Sequence, residues 1–144
     1  MPSPARVLVT GGRDYADAKK VGDYIAVAFK LLLGDDGTLG PLMTVVHGGA
    51  RGADHLAHLA AIEFGMVPEP HPAQWNAPCR DECSPNHRKM GKDGKWYCPA
   101  AGFWRNQEMV DLGADMALSF KGGSCTADCV RRIKKAGIEL IEVT

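Results

Sequence analysis

The chain has 144 residues, of which 45% are hydrophobic and 24% are charged. This balance is typical of one compact domain and excludes a disordered or fibrous chain. Seventeen basic residues match seventeen acidic ones, and a neutral chain is a poor candidate for binding that depends on duplex phosphates. Neither an apolar run of membrane-spanning length nor a signal segment is present in the sequence. We therefore expect one cytoplasmic domain over residues 1–144.

Strand and helix patterns alternate along the chain. Apolar periodicity predicts strands at 6–10, 42–46, 66–68, 114–120 and 138–143, a turn-rich loop at 34–41, and helices at 17–33, 56–64, 101–112 and 126–136. Alternation of this kind predicts an α/β, Rossmann-like doubly wound, mainly parallel sheet of about five strands with helices on both faces. Ligands of such sheets bind at the carboxyl ends of the strands, near the point where the strand order reverses.

Glycine pairs follow three of the predicted strands, at the carboxyl edge of the sheet. Glycine lets the backbone approach a ligand closely, and the amides of a following helix favour a phosphate. We therefore predict a nucleotide-binding site, although any single pair is equally explained as a tight turn. The candidate ligand-binding residues are Thr10, Gly11, Gly12, Arg13, His47, Gly48, Gly49, Arg51, Asp54, Arg105, Asn106, Gly122, Gly123, Ser124 and Thr126.

The charged candidates differ in how strongly the sequence supports a ligand-binding role. Guanidinium groups pair with phosphate oxygens, which favours Arg51 and Arg105 as ligand contacts, whereas Arg13 is as readily a solvated surface residue. Asp54 lies at the start of the predicted second helix, where capping of helix amides is favoured over contact with a ribose hydroxyl or a metal.

The remaining candidates have an ordinary structural alternative. His47 at a strand end either donates to a phosphate or is packed and hydrogen bonded. Asn106 either reads a base or fixes a loop. Trp75 either stacks on a base or fills a gap beside the polar segment that follows it, and packing is the more frequent role of tryptophan.

A polar segment at about 76–100 interrupts the alternation of elements. Cys79, Cys83, His87 and Cys98 offer three sulfurs and one imidazole, a ligand set that suits tetrahedral structural zinc. Because the segment has few apolar residues, a metal would replace the missing hydrophobic core. The alternative is a flexible lid with incidental cysteines. Its lysines and arginines also make the segment basic, which suits nucleic acid or simply keeps a loop soluble.

Five motifs in chain order resemble the YspA-type branch of the SLOG superfamily: 7–15, 46–54, 72–75, 101–106 and 113–123. The resemblance implies a Rossmann-like fold that binds nucleotides or nucleotide-derived ligands, and it suggests a homodimer. Relatives include LOG-type phosphoribohydrolases, the DNA-processing protein DprA and sensor domains that read nucleotide signals.

The hydrolase relatives carry a Pro-Gly-Gly-x-Gly-Thr-x-x-Glu segment, whose Glu acts with an upstream Arg. Here Cys125 replaces the third glycine, Cys129 replaces the Glu, and Arg105 matches the Arg. A thiol cannot stabilise an oxocarbenium-like centre as a carboxylate does, and Asp128 would point about 100° away. Binding or sensing is therefore our leading hypothesis, with phosphoribohydrolase activity and single-stranded nucleic-acid binding as alternatives. We expect Cys125 to be a small buried residue rather than a nucleophile.

Overall fold

The computed structural model describes residues 5–33, 43–83 and 87–144. Its elements, in chain order, are β1 (Arg6–Thr10), α1 (Ala18–Leu33), β2 (Thr44–His47), α2 (Ala53–Glu63), β3 (Val67–Pro70), β4 (Lys89–Met90), β5 (Trp96–Tyr97), α3 (Ala101–Leu112), β6 (Met116–Ser119), α4 (Ser124–Lys135) and β7 (Leu140–Glu142). Every predicted strand and helix is present: β1 and α3 have the predicted bounds, and the other elements have shifted ends. The predicted loop at 34–41 and the predicted start of the second strand lie outside the described residues.

Five strands form one parallel sheet in the order β3-β2-β1-β6-β7. The predicted Rossmann-like α/β fold is confirmed, and its strand order reverses between β1 and β6. Central strand β1 aligns Leu8 with Val46 on one side and with Ala117 on the other. Strands β4 and β5 form a separate antiparallel hairpin, which periodicity did not predict because each strand has only two residues.

Two hydrophobic clusters cover the two faces of the sheet. On β1, Val7 and Val9 belong to the cluster with α1 and α2, while Leu8 belongs to the cluster with α3 and α4. This division follows from the two-residue period of a strand. All three side chains are completely buried, and burial of each contributes about 1.5–3 kcal/mol. Within the described residues, we find no helix with the length and apolarity needed to cross a bilayer.

Gly52, directly before α2, packs against the turn that follows β1. Its φ of +78° and ψ of −130° are seldom adopted by other residues. A Cβ at Gly52 would overlap the Gly12 carbonyl oxygen and lie 2.5 Å from the Arg13 carbonyl carbon. The Ala53 amide donates to that same Gly12 oxygen at 3.1 Å. Both the backbone conformation and the close contact therefore require glycine.

We expect Gly52→Ala to lower the free energy of unfolding by about 3 kcal/mol, because backbone strain and atomic overlap add. Gly137→Ala is the matched control: Gly137 also has a positive φ, +76°, but the described residues leave the space around a Cβ open. Only the conformational cost of about 1 kcal/mol is expected there. Urea denaturation measures both losses. Equal losses would contradict tight packing of the two turns.

Candidate functional site

A cavity of about 240 Å³ lies at the carboxyl edge of the sheet, where the strand order reverses. Its walls come from the turn after β1, the start of α2, the middle of α3 and the start of α4. Most of the predicted ligand-binding residues border it. The lining residues are Val9, Thr10, Gly11, Gly12, Arg13, Ala50, Asp54, Arg105, Asn106, Met109, Gly123, Ser124, Cys125 and Thr126.

The turns after β1 and β6 contact each other through their backbones. The Gly12 amide donates to the Lys121 carbonyl oxygen at 3.0 Å, and a Cβ on Gly122 would lie 2.6 Å from the Gly12 nitrogen. Gly12 and Gly122 therefore allow the two turns to approach. Gly123 differs, because it lines the cavity and the described residues leave the space around its Cβ open.

The amino end of α4 faces the cavity. Its N-cap residue is Gly123, which has no side chain to bond the helix amides. First-turn amides lack partners within a helix and carry the positive end of its dipole. Ser124, Cys125 and Thr126 all line the cavity. This end of α4 is therefore suited to an anion.

Arg105 connects three elements beneath the cavity. Its side chain belongs to α3 and the residue is 7% exposed. Nη1 donates to the Gly48 carbonyl oxygen at 2.5 Å, Nε to Asn106 Oδ1 at 3.1 Å, and Nη2 to Cys125 Sγ at 3.6 Å. The guanidinium group is thus held in place by protein atoms while it borders the cavity.

Asn106 and Asp128 form a buried contact between α3 and α4. Asn106 Nδ2 donates to the Cys125 carbonyl oxygen at 3.1 Å and to Asp128 Oδ2 at 3.2 Å. Asp128 also accepts from Arg131 and, at 2.8 Å, from Nε of Arg132. Asn106 therefore fixes the packing of α3 on α4, and Asp128 is engaged by three protein donors.

Asp54 is 6% exposed and borders the cavity. Its Oδ2 accepts from the amides of Gly48 at 3.2 Å and Ala50 at 3.3 Å. The side chain thus braces the turn after β2. The sequence had instead favoured a role for Asp54 in capping helix amides. Burial raises the pKa of Asp54 to about 6, against the opposing effect of these hydrogen bonds and of Arg105.

His47 lies behind the turn after β2 and is 2% exposed. Its Nδ1 accepts from the Gly49 amide at 3.0 Å, which places the proton on Nε2, 2.9 Å from Nδ1 of His58. Burial lowers the pKa of His47 to about 4. His47 is therefore packed and hydrogen bonded within the protein, which is the second of the two roles that the sequence allowed. Sequence reasoning missed His58, because no local spacing relates a strand residue to a residue on the helix that covers it.

A second cavity of about 390 Å³ adjoins the first and shares Arg13, Ala50 and Arg105 with it. Gly48, Gly49, Arg51 and Trp75 also line it. The Arg13 guanidinium carbon lies 5.7 Å from the centre of the Trp75 ring. The centre of the Tyr97 ring lies 6.3 Å from the same point. Trp75 therefore contacts the polar segment and also borders the cleft formed by the two cavities.

The two cysteines of α4 occupy different environments. Cys125 is half-buried and lines the first cavity, so the expectation of a buried residue was wrong. Cys129 is completely buried, and burial raises the pKa of its thiol to about 12. At the position of the hydrolase Glu, the chain therefore has a neutral thiol.

The four predicted metal ligands form one cluster in the polar segment. The donor atoms of Cys79, Cys83, His87 and Cys98 all lie within 4.8 Å of one another. Cys83 Sγ is 3.9 Å from Cys98 Sγ, and His87 Nε2 is 3.2 Å from that same sulfur. Sulfurs around tetrahedral zinc are about 3.8 Å apart, since each Zn–S bond is about 2.3 Å. The cluster can therefore hold a metal ion.

Further donors surround the cysteine sulfurs. The Trp104 indole N–H donates to Cys83 Sγ at 3.4 Å, which lowers the pKa of that thiol. Arg88 Nη1 lies 3.8 Å from Cys79 Sγ. Donors of this kind stabilise thiolates and orient them as ligands.

Asp54 and His47 predict opposite effects of pH on stability. Asp54 has a raised pKa in the folded protein, so its contribution is complete below about pH 4 and is lost as the pH rises through 6. His47 has a lowered pKa, so its contribution is complete above about pH 6.5 and is lost as the pH falls through 4. Each effect amounts to about 3 kcal/mol.

When the pH is raised from 4 to 7, the free energy of unfolding of Asp54→Asn should therefore increase by about 3 kcal/mol relative to that of the wild type. His47→Gln should change by a similar amount in the opposite direction. Urea denaturation at several pH values measures both differences. Parallel profiles for the wild type and the two variants would show that neither group titrates as burial requires.

Comparison with known proteins relates this site to a family. A model described as the YspA, cpYpsA-related SLOG family matches residues 5–77, which include the turns after β1 and β2. The chain is 36% identical over 143 residues to the "Gene 61 protein" of Mycobacterium phage D29, with 94% of each chain covered. The predicted resemblance is confirmed: the chain belongs to the YspA, cpYpsA-related SLOG family.

Proposed function

We propose that the protein binds a nucleotide or nucleotide-derived phosphate ligand in the cleft at the carboxyl edge of the sheet. The observation that carries this proposal is the convergence of the α4 amino end, Arg13 and Arg105 on one cavity. Helix amides and guanidinium groups both favour phosphate oxygens. Membership of the SLOG family supports a nucleotide-related ligand in general.

The adjoining cavity favours a nucleotide over inorganic phosphate. Trp75 and Arg13 offer planar groups beside it, and nucleobases stack on tryptophan rings and on guanidinium planes. Arg51 adds a positive charge at the same wall. In this arrangement the phosphate occupies the α4 end of the cleft and the base lies towards Trp75.

The two alternative functions have less support. Phosphoribohydrolase activity lacks a carboxylate at Cys129, and the neighbouring Asp128 is engaged by Asn106 and two arginines. Single-stranded nucleic-acid binding rests mainly on the basic polar segment. There, Arg80 pairs with Glu108 at 2.9 Å, and Arg88 donates to the Ala77 carbonyl oxygen at 2.7 Å. These arginines therefore have internal partners.

Isothermal titration calorimetry with AMP tests the proposal. Gly123→Val should weaken AMP binding at least tenfold, because the new side chain would extend over the α4 amides. Its unfolding free energy should change by less than about 0.5 kcal/mol, since Gly123 has a negative φ, −97°, and open space among the described residues.

Arg13→Ala should weaken AMP binding about tenfold, since a charged hydrogen bond contributes about 1.5–3 kcal/mol. Lys134→Ala is the control for charge: Lys134 lies at the other end of α4 and pairs with Glu142 at 3.4 Å. It should leave AMP binding unchanged. The proposal fails if the wild type binds neither AMP, ADP nor inorganic phosphate.

We infer that the ion held by Cys79, Cys83, His87 and Cys98 is structural zinc. Three thiolates and one imidazole are a common closed zinc ligand set. The hairpin of β4 and β5 exposes both Met90, at 51%, and Trp96, at 56%, so it has little core of its own. A bound zinc would supply a tetrahedral crosslink between the residues that precede the hairpin and Cys98, which lies between the hairpin and α3.

Purified protein should contain about one equivalent of zinc, and Cys83→Ser should lose it and unfold at a lower temperature. Cys125→Ser is the matched control, because Cys125 lies outside the cluster and its replacement should leave the metal content unchanged. Elemental analysis and thermal denaturation provide the two measurements. Wild-type protein purified without chelators and containing less than about half an equivalent of zinc would contradict the inference.

A homodimer and a cytoplasmic location remain predictions. Exposed apolar side chains occur on the neighbouring helices α1 and α2, where Leu31 is 59% exposed and Ile62 is 58% exposed. A homodimer would bury such side chains if they lie at its interface.

A further inference from the structure

Asp54 is the only acidic residue among the described residues that line the first cavity. The same cavity contains the positive end of α4 and borders on Arg13 and Arg105. A carboxylate repels a phosphate, so its presence needs a separate explanation. Bracing the turn after β2 explains one oxygen only, because the amides of Gly48 and Ala50 both donate to Oδ2.

The second oxygen of Asp54, Oδ1, accepts no hydrogen bond from the described residues. All hydrogen bonds that the described residues make to this side chain end on Oδ2. Among the described residues, every side-chain oxygen that is fully sealed from solvent has a hydrogen-bond partner. Oδ1 therefore keeps some exposed surface. Because Asp54 is 6% exposed and borders the cavity, we infer that this surface is open to a ligand in the cavity.

The environment of Oδ1 determines the kind of group it can bind. An ionised carboxylate accepts hydrogen bonds and cannot donate them. A cationic donor is disfavoured, because Arg13 and Arg105 are close enough to act on the charge of Asp54. A metal ion is disfavoured for the same reason, because the positive charges of Arg13 and Arg105 near Asp54 would repel it. A neutral hydroxyl group satisfies Oδ1 without either difficulty.

We propose that Asp54 selects ribose-containing ligands by accepting a hydrogen bond from a sugar hydroxyl, while the phosphate of the same ligand lies at the α4 end. This inference rests on the proposed nucleotide-binding function and specifies its ligand class. Asp54 then has two roles: Oδ2 holds the turn after β2, and Oδ1 reads the sugar. The ligand class is a ribonucleotide or another ribose phosphate with free hydroxyls.

Calorimetric titration of AMP and of 2′,3′-dideoxy-AMP tests the inference, because the two probes differ only in the sugar hydroxyls. The wild type should bind AMP 10- to 100-fold more tightly, as a hydrogen bond to a charged group predicts. Asp54→Asn should reduce this ratio to below about threefold, because the carboxylate charge is lost. Asp111→Asn is the matched control: Asp111 is an exposed α3 carboxylate, and its replacement should keep the ratio.

The pH dependence of the wild type provides a test that needs no variant. The ratio should fall as the pH is lowered through about 6, where Asp54 becomes protonated. Both probes carry the same phosphate, so its own titration cancels in the ratio. Four other charged or titratable groups lie near Asp54 or its neighbours. They are Arg13 after β1, His47 on β2, Arg105 on α3 and Cys129 on α4.

The outcomes separate this inference from the proposed function. Equal affinity of the wild type for AMP and dideoxy-AMP overturns the role of Asp54 and leaves nucleotide binding intact. A preference for AMP that persists in Asp54→Asn, or that requires Mg²⁺, also overturns it. Failure of AMP, dideoxy-AMP and inorganic phosphate to bind overturns the proposed function itself.

Discussion

The site depends on the close backbone contact between the turns that follow β1 and β6. These strands are neighbours at the point where the sheet order reverses, so their carboxyl ends open towards the same space. The hydrogen bond from Gly12 to Lys121 joins the two turns, and a Cβ on Gly12 would lie 2.8 Å from its acceptor. Because no side chain separates the turns, the amino end of α4 reaches the first cavity.

The polar segment is tied to the cleft by backbone hydrogen bonds. The Cys98 amide donates to the Trp75 carbonyl oxygen at 2.8 Å, and the Ala101 amide donates to the Cys98 carbonyl oxygen at 3.1 Å. One candidate metal ligand thus contacts both a cleft residue and the start of the helix that carries Arg105. A metal at the cluster would therefore help to hold Trp75 and the start of α3 in place.

Buried polar groups keep the cleft in one conformation before any ligand binds. Asp54, His47 and Arg105 bond to amides or carbonyl groups of the turn at 48–50. Burying ionisable groups costs stability, as the raised pKa of Asp54 and the lowered pKa of His47 show. The same hydrogen bonds fix the donors and acceptors of the turn. Such preorganisation reduces the conformational entropy that a protein loses when a ligand binds.

The alternating elements, the parallel sheet, the glycine turns at its carboxyl edge and the four candidate metal ligands could all be predicted from residue patterns alone. These features are local. The hydrophobic period of a strand or helix can be recognised within that element, and the cysteine and histidine spacing can be recognised within one short segment. Other features emerged from the packing of the folded chain: Asp54 braces a neighbouring turn, His47 pairs with His58, Cys125 borders the cavity and Asn106 holds Asp128. Each of these depends on side-chain direction across packed elements, which residue spacing along one element does not specify.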